Sequence, residues 1–336
     1  MIALRFFVVA FLTFALRAAS FAAEASFYSG KTVTIIIPIG PGGAYDAYAR
    51  LVSRHIAKHL PGNPTIISRN MPGAGGVIAS NYVYGVAPQD GTTLTIITSS
   101  FANEQLFGNP LIKYDARKFR AIGRLLDTTS VLFFWHASPI KTVADMLTKP
   151  STIAISSVNE IPAFRIRAMN AFLGASLKMI PGYPSAQDYV LATERGETDG
   201  GTSTFIGLSQ QFSTYLAEKK LNILTQFATD RDPQMPDIPT VLELAKNDAT
   251  RQIFRQLVSN DAIGRALFTT PNTPPERLRL LRAGFDDMLV DAEFLEDARR
   301  SQLPLVPMSG EDLQRVVGNI LDISPETLAK VRQIIQ

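Results

Sequence analysis

The run Val33-Thr34-Ile35-Ile36-Ile37-Pro38-Ile39, followed at once by Gly40-Pro41-Gly42-Gly43, decides how the chain is read. A stretch so rich in β-branched residues is the pattern of a strand buried on both faces. The glycine loop breaks it. Apolar positions then recur at Tyr45, Tyr48/Ala49, Val52, Ile56 and Leu60, one face of a helix, with Arg50, Arg54 and Lys58 on the opposite, solvated face. Pro61-Gly62-Asn63-Pro64 ends the helix, residues 65–68 make a short strand, and Pro72-Gly73-Ala74-Gly75-Gly76 leads into a second helix through about Val86. A third strand follows at 93–98. Strand, glycine loop and helix in alternation predict a parallel α/β sheet.

The same grammar continues outward. Strands are expected at 121–126, 131–135 and 152–156. Ser157-Val158-Asn159-Glu160-Ile161-Pro162 leads into a helix at 163–173, and a strand at 177–180 follows. After the loop Gly182-Tyr183-Pro184-Ser185 comes a helix at 187–195. Gly196-Glu197-Thr198-Asp199-Gly200-Gly201-Thr202-Ser203 reads as a small polar connection before a strand at 221–228. From Arg251 onward the pattern is mostly helical. Thr273 is expected to cap the helix that begins Pro274-Pro275, Ser309 pairs with Asp312 as a cap, and Ser324-Pro325 starts the last helix.

Length and composition fit this reading. At 336 residues, 46% hydrophobic and 19% charged, the chain has the size of about two globular domains. No internal repeat or low-complexity linker separates them. Zero cysteines exclude a disulfide framework, a cysteine zinc site, an iron–sulfur cluster and a thiol nucleophile. The 33 Lys+Arg against 30 Asp+Glu give +3, and no run of like charges marks a nucleic-acid surface. The first residues stand apart. Arg5, the apolar run from Phe6 to Leu16, Arg17 and then small residues have the layout of a secretory signal peptide over residues 1–25. The apolar run is too short to span a bilayer, which needs about 20 residues. Cleavage is expected after Ala22, Ala23 or Ala25, and removing Arg5, Arg17 and Glu24 leaves a charge of +2. Export without cysteine points to the periplasm.

Open α/β sheets place ligands at the carboxyl ends of strands. Gly40-Pro41-Gly42-Gly43 lies at such an end, before a helix whose free N–H groups attract an anion. It is neither a dinucleotide fingerprint, since Tyr45 stands where the third glycine would be, nor a phosphate-binding P-loop. Catalytic groups are scarce. His55 and His59 sit four apart without a carboxylate close by in sequence and read as surface histidines rather than metal ligands. His136 follows Trp135 alone, and Ser203 and Ser209 lack a nucleophile elbow. No catalytic residue, cofactor or metal is expected, which favours binding over catalysis.

The opening run with Asp46 resembles the start of the tripartite tricarboxylate transporter substrate-binding receptors, the Bug family of periplasmic binding proteins. The resemblance continues through Asn70-Met71-Pro72-Gly73-Ala74-Gly75-Gly76 and Ala87-Pro88-Gln89-Asp90-Gly91-Thr92. Gly182-Tyr183-Pro184, Glu194-Arg195-Gly196-Glu197-Thr198-Asp199-Gly200 and Pro236-Asp237-Ile238-Pro239-Thr240-Val241 carry it further, in order, along nearly the whole mature chain.

The resemblance implies a type II periplasmic-binding-protein fold: two α/β lobes joined by two crossing strands with a ligand cleft between them. Lobe 1 would be residues 26–125 plus 230–336, and lobe 2 residues 126–229. It also implies a monomer that captures a small carboxylate and delivers it to the membrane subunits of a tripartite tricarboxylate-type transporter. A receptor for a membrane sensor, or an exported α/β enzyme acting on a carboxylated substrate, are the alternatives. Carried over by position, the ligand would meet Gly40, Gly42, Gly43, Ala44, Tyr45 and Asp46, with Ser99 and Ser100, in lobe 1. In lobe 2 it would meet Ser156, Ser157, Val158, Asn159, Tyr183, Asp199 and Thr202. Asp46 is expected either to hold the loop by accepting backbone N–H groups or to be a simple helix-start residue. Ala44 and Tyr45 replace the family's usual glycine and threonine, and Ser156-Ser157-Val158 replaces a glycine-rich loop. That departure suggests a carboxylate with an apolar or aromatic body packed on Tyr45 or Tyr183.

Overall fold

The computed structural model describes residues 27–158, 161–183 and 185–335. The expected signal peptide and Asn159 lie outside the described residues. Strands β1 (Thr32–Ile37), β2 (Thr65–Asn70), β3 (Thr93–Ile97), β4 (Arg120–Leu126), β5 (Ser130–Trp135) and β6 (Ser151–Ala154) come first. They are followed by β7 (Leu177–Ile180), β8 (Gly200–Thr204), β9 (Leu221–Phe227), β10 (Arg265–Thr269) and β11 (Met308–Ser309). Two sheets result, one ordered β11-β4-β10-β3-β1-β2 and the other β7-β6-β8-β5-β9.

β1 pairs in parallel with β2 and β3, and its Ile35, Ile36 and Ile37 are at most 1% exposed, as its β-branched run requires. The sheets are mixed, however, and not wholly parallel. β10 runs antiparallel between β3 and β4, and β5 runs antiparallel between β8 and β9, while β6 pairs in parallel with β7 and β8.

Two of these strands correct the sequence reading. β10 lies in the stretch taken as helical; Ala266, Leu267 and Phe268 are fully buried, and a short apolar run flanked by helices carries no period of its own. β8 replaces the supposed polar connection. Glycine disfavours strands, yet here only glycine fits. A Cβ on Gly200 would lie 2.3 Å from the Phe133 carbonyl oxygen, and one on Gly201 would lie 2.9 Å from the Phe133 ring and 3.0 Å from Tyr189.

The helices needed below are α1 (Ala44–His55), α2 (Val77–Gly85), α3 (Ile161–Ala168), α4 (Ala186–Glu194), α5 (Asp248–Ile263) and α6 (Pro275–Leu289). α1 continues as a 3-10 turn over Ile56–His59, and α3 widens into a π-helical segment at Met169–Leu173 that stops at Gly174 in a left-handed conformation. Ser309 and Ser324 cap as expected, accepting from the amides of Asp312 and Thr327. Thr273 does not cap α6. Pro274 holds that position, and the Thr273 hydroxyl bonds those of Thr269 and Thr270 at 2.9 Å. Among the described residues no helix is long and apolar enough to cross a membrane.

The chain divides into two compact units, one running through Leu126 and resuming at Arg265–Val317, the other Asp127–Gly264 with Gly318–Gln336. The reading from sequence placed residues 230–264 and 318–336 with the first unit; the contacts group both stretches with the second. The polypeptide therefore passes between units three times instead of twice. The first sheet belongs wholly to the first unit and the second sheet to the second. In the second unit Val131, Phe133 and Trp135 of β5 pack with Tyr189 and Val190 of α4, Leu208 and Leu221.

The fit at β8 gives an expected outcome of opposite signs. Gly201→Ala should cost about 1–3 kcal/mol by overpacking. Gly85→Ala, in a helix with nothing within 4 Å of the added carbon, should gain about 0.4–1 kcal/mol. Urea denaturation midpoints of the two variants check both.

Candidate functional site

In the first unit the strand ends carry the expected glycine loop. Gly42 has φ +91°, a conformation that a side chain would strain, and Gly43 caps α1 in extended conformation without a side-chain bond. The first helical hydrogen bond runs from the Ala47 amide to the Gly43 carbonyl, so the amides of Ala44, Tyr45 and Asp46 have no acceptor within the helix. Asp46, 4% exposed, holds the loop. Its Oδ2 accepts the Gly42 amide at 3.0 Å and Arg50 Nε at 2.9 Å, and its Oδ1 accepts Asn70 Nδ2 at 2.9 Å. Asn70 Nδ2 also donates to the Ile39 carbonyl, tying β2 to the start of the loop. The Gly42 amide is thus turned back on the protein.

Tyr45 is likewise engaged. Its hydroxyl accepts the Ser99 amide at 3.0 Å, and the Arg265 guanidinium lies over its ring 4.0 Å from the centroid. One face of the ring and the phenol oxygen are therefore occupied by the first unit itself. Arg265 Nε is buried without a hydrogen-bond partner among the described residues. Ser100 stands at the N-cap of the short helix Phe101–Leu106 and makes no side-chain cap. Gly40 is half-buried at the end of the strand run.

In the second unit, the ends of β6 and β8 and the start of β5 open on a cavity of about 370 Å³. Two expected residues, Ser156 and Thr202, line it, together with Ser130, Ser185, Ser203, Thr204 and Tyr189. Seven of the eleven lining residues carry hydroxyls, while Pro162, Ala186 and Phe227 supply its apolar part and Arg165 a charge. Ser157, Val158, Tyr183 and Asp199 are not among the lining residues. Asp199 clamps strands instead: its Oδ2 accepts both the amide and the hydroxyl of Thr152 at 2.7 Å, and its own amide donates to Thr152. Tyr183 packs on the β5 core and donates its hydroxyl to Glu197 at 3.1 Å. Val158 is 37% exposed.

Two arginines escaped the sequence reading. Arg165 of α3 lines the cavity at 2% exposure, and Arg265 begins the unrecognised β10. A signal for Arg165 was present, since one charge inside Ala163-Phe164-Arg165-Ile166 sits on a helix buried nearly all round. Arg265 carried none without knowledge of β10. The histidine pair is also different from its reading. His55 and His59 are 13% and 15% exposed, packed against a segment 291–297 that supplies carboxylates. His55 Nε2 meets Asp297 at 2.8 Å, and His55, Asp291 and Glu293 bring donor atoms within 4.8 Å of one another. The Lys58 ammonium already occupies the carboxylates of Asp291 and Glu293, at 2.9 and 2.6 Å.

The Arg50 hydrogen bond holds the Asp46 carboxyl at about 2, below its ordinary 3.8, against the opposing pull of burial and with help from the Gly42 amide and Asn70. A folded-state value below the unfolded one means that stability is present above about pH 4 and is lost as pH falls toward 2. Asp46→Asn should therefore lower stability by about 1–3 kcal/mol at neutral pH, with the gap to wild type closing between pH 4 and 2. Urea midpoints across that range measure it.

With the geometry established, comparisons place the chain among known proteins. A UPF0065 protein of Bordetella pertussis is 24% identical over 327 residues, covering 95% of each chain. A second UPF0065 protein, from Pseudomonas sp., is 26% identical over 229 residues, and the match spans 64% of that relative. Among solved structures, a TctC solute binding protein from Polaromonas superposes with a TM-score of 0.71 at 20% identity, over 92% of this chain and 99% of the other. MatC from Rhodopseudomonas palustris, solved with bound malate, gives a TM-score of 0.56 at 20% identity over 91% and 99%. At such identities these likenesses speak for the fold, which is that of periplasmic solute-binding proteins. The model of the tripartite tricarboxylate transporter family receptors matches residues 48–336, and the chain belongs to that family.

Proposed function

We propose that this protein is a periplasmic solute receptor that captures a small carboxylate and delivers it to the membrane subunits of a tripartite tricarboxylate-type transporter. The observation that carries the reading is the cavity of the second unit: about 370 Å³, lined by hydroxyl-bearing and apolar residues and bordered by a buried arginine, in a chain of a receptor family. A cavity of this size suits a small organic acid. Within the first unit, the helix-start amides at the glycine loop are uncharged donors of the kind that hold anions. Malate in the related MatC is of the same chemical class. The signal-like residues 1–25 support export to the periplasm.

The engagement of Tyr45 with Ser99 and Arg265, and of Tyr183 with Glu197, argues against an aromatic body stacked on either ring.

Binding is tested by thermal unfolding of the full mature chain against a panel of small organic acids. A ligand at 100 times its Kd should stabilise the fold by about 2.7 kcal/mol, a rise of several degrees in Tm. The single tryptophan, Trp135, lies 5.7 Å from Tyr215 at the end of β5 and supplies a fluorescence readout. A panel that moves neither Tm nor emission would remove the receptor reading. Turnover of an acid with a bell-shaped pH dependence would replace it with an enzyme.

A further inference from the structure

His55 and His59 have no carboxylate close by in sequence, and the fold of the first unit brings three to them. Glu293 and Asp297 belong to the helix Ala292–Arg300, which packs against α1, and Asp291 caps that helix. Asp291 is fixed by this capping. Its Oδ1 accepts the amides of Glu293 and Phe294, both at 3.0 Å, and the Lys58 ammonium at 2.9 Å.

The other oxygen of Asp291 has a different neighbour. Oδ2 faces His59 Nε2 at 3.6 Å, and that nitrogen is buried with no hydrogen-bond partner among the described residues. A shared proton draws such a pair together, as between His55 Nε2 and Asp297 Oδ2 at 2.8 Å, whereas 3.6 Å is too wide for a hydrogen bond. A metal ion fits the gap. Two ligands bonded at about 2.0–2.1 Å to a tetrahedral zinc ion lie about 3.3 Å apart, close to the separation of these two atoms. Further donors stand beside them, because His55, Asp291 and Glu293 bring ligand atoms within 4.8 Å of one another. Asp297, bonded to His55 Nε2 and to Arg54 Nε at 2.9 Å, holds the imidazole in place as carboxylates do behind metal-bound histidines. The Lys58 ammonium between Asp291 and Glu293 shows that the cluster draws a cation. Its side chain is 39% exposed and that of Glu293 78%, so both can rearrange into water when a dication enters.

We propose that His55, His59, Asp291 and Glu293 form a binding site for a divalent cation of the zinc type, which staples the end of α1 to the helix Ala292–Arg300. Two imidazoles with two carboxylates select such a cation over magnesium or calcium, which take oxygen donors. Asp297 is a positioning residue, and Lys58 is a competitor for the same carboxylates. The staple fixes the far end of the helix whose start carries the glycine loop.

Titration calorimetry and thermal unfolding of the full mature chain, free of any affinity tag, test it with zinc chloride and magnesium chloride. One zinc ion per chain should bind with a Kd at or below about 10 µM and raise the Tm, while magnesium does neither. His55→Gln and His59→Gln should each weaken zinc binding by about 10- to 100-fold. Lys58→Met, which keeps the stem and removes the competing charge, should tighten it by about tenfold. His136→Gln, a histidine of the second unit, should leave it unchanged. Circular dichroism checks that each variant is folded, and the opposite signs at Lys58 and the two histidines separate ligation from lost stability. Weaker or non-stoichiometric zinc binding, equal binding of magnesium, binding that the His55 and His59 variants leave intact or that His136→Gln removes, or a Lys58→Met chain no tighter than wild type overturns the proposal.

Discussion

An inner strand of a sheet covered by helices admits only side chains that ask nothing of water, and this constraint organises both units. β1 meets it with Ile35, Ile36 and Ile37, β10 with Ala266, Leu267 and Phe268, and β8 with Gly200 and Gly201. Where a polar residue does fall inside, it bonds the backbone: Thr95 Oγ1 donates to the Ile36 carbonyl and Thr269 Oγ1 to the Thr93 carbonyl. Chemistry is displaced to the strand ends. The glycine loop follows β1, Ser99 follows β3, and the parallel β6 and β8 end where the antiparallel β5 begins, bringing Ser156, Thr204 and Ser130 to one edge.

The charges at these edges are handled in contrasting ways. Asp46 is saturated by the Gly42 amide, Arg50 and Asn70, so it works as internal scaffolding. Arg165 is undersaturated, with an ion pair to Asp261 that lacks hydrogen-bond alignment. Arg265 over Tyr45 shows an intermediate case, where an aromatic face takes the place of a carboxylate.

Much of the fold was legible because its signals are local. The isoleucine run, the proline and glycine breaks and the serine caps at 309 and 324 depend on neighbours within a few residues. β10 was not legible, since five residues between helices have neither length nor period to identify them, and β8 was actively misleading, since its glycines are demanded by Phe133 and Tyr189 from elsewhere in the chain. The site divided along the same line. The glycine loop and the place of Asp46 at the start of a helix could be read directly, while Asp199 proved to be a strand clamp and the carboxylates beside His55 arrive from residues more than two hundred positions away.

The sequence by itself determined the class of device: alternating strands and helices, glycine loops at strand ends, and an absence of cysteine chemistry follow from side-chain size, branching and backbone freedom. Only the tertiary structure decided which groups the cavity offers. Hydrogen bonds are satisfied one donor to one acceptor, and whether Tyr45, Asp199 or Arg165 has capacity left is a property of its neighbours in space. The tertiary contacts consumed Tyr45 and Asp199 and left Arg165 Nη2 ion-paired to Asp261 but without a hydrogen bond.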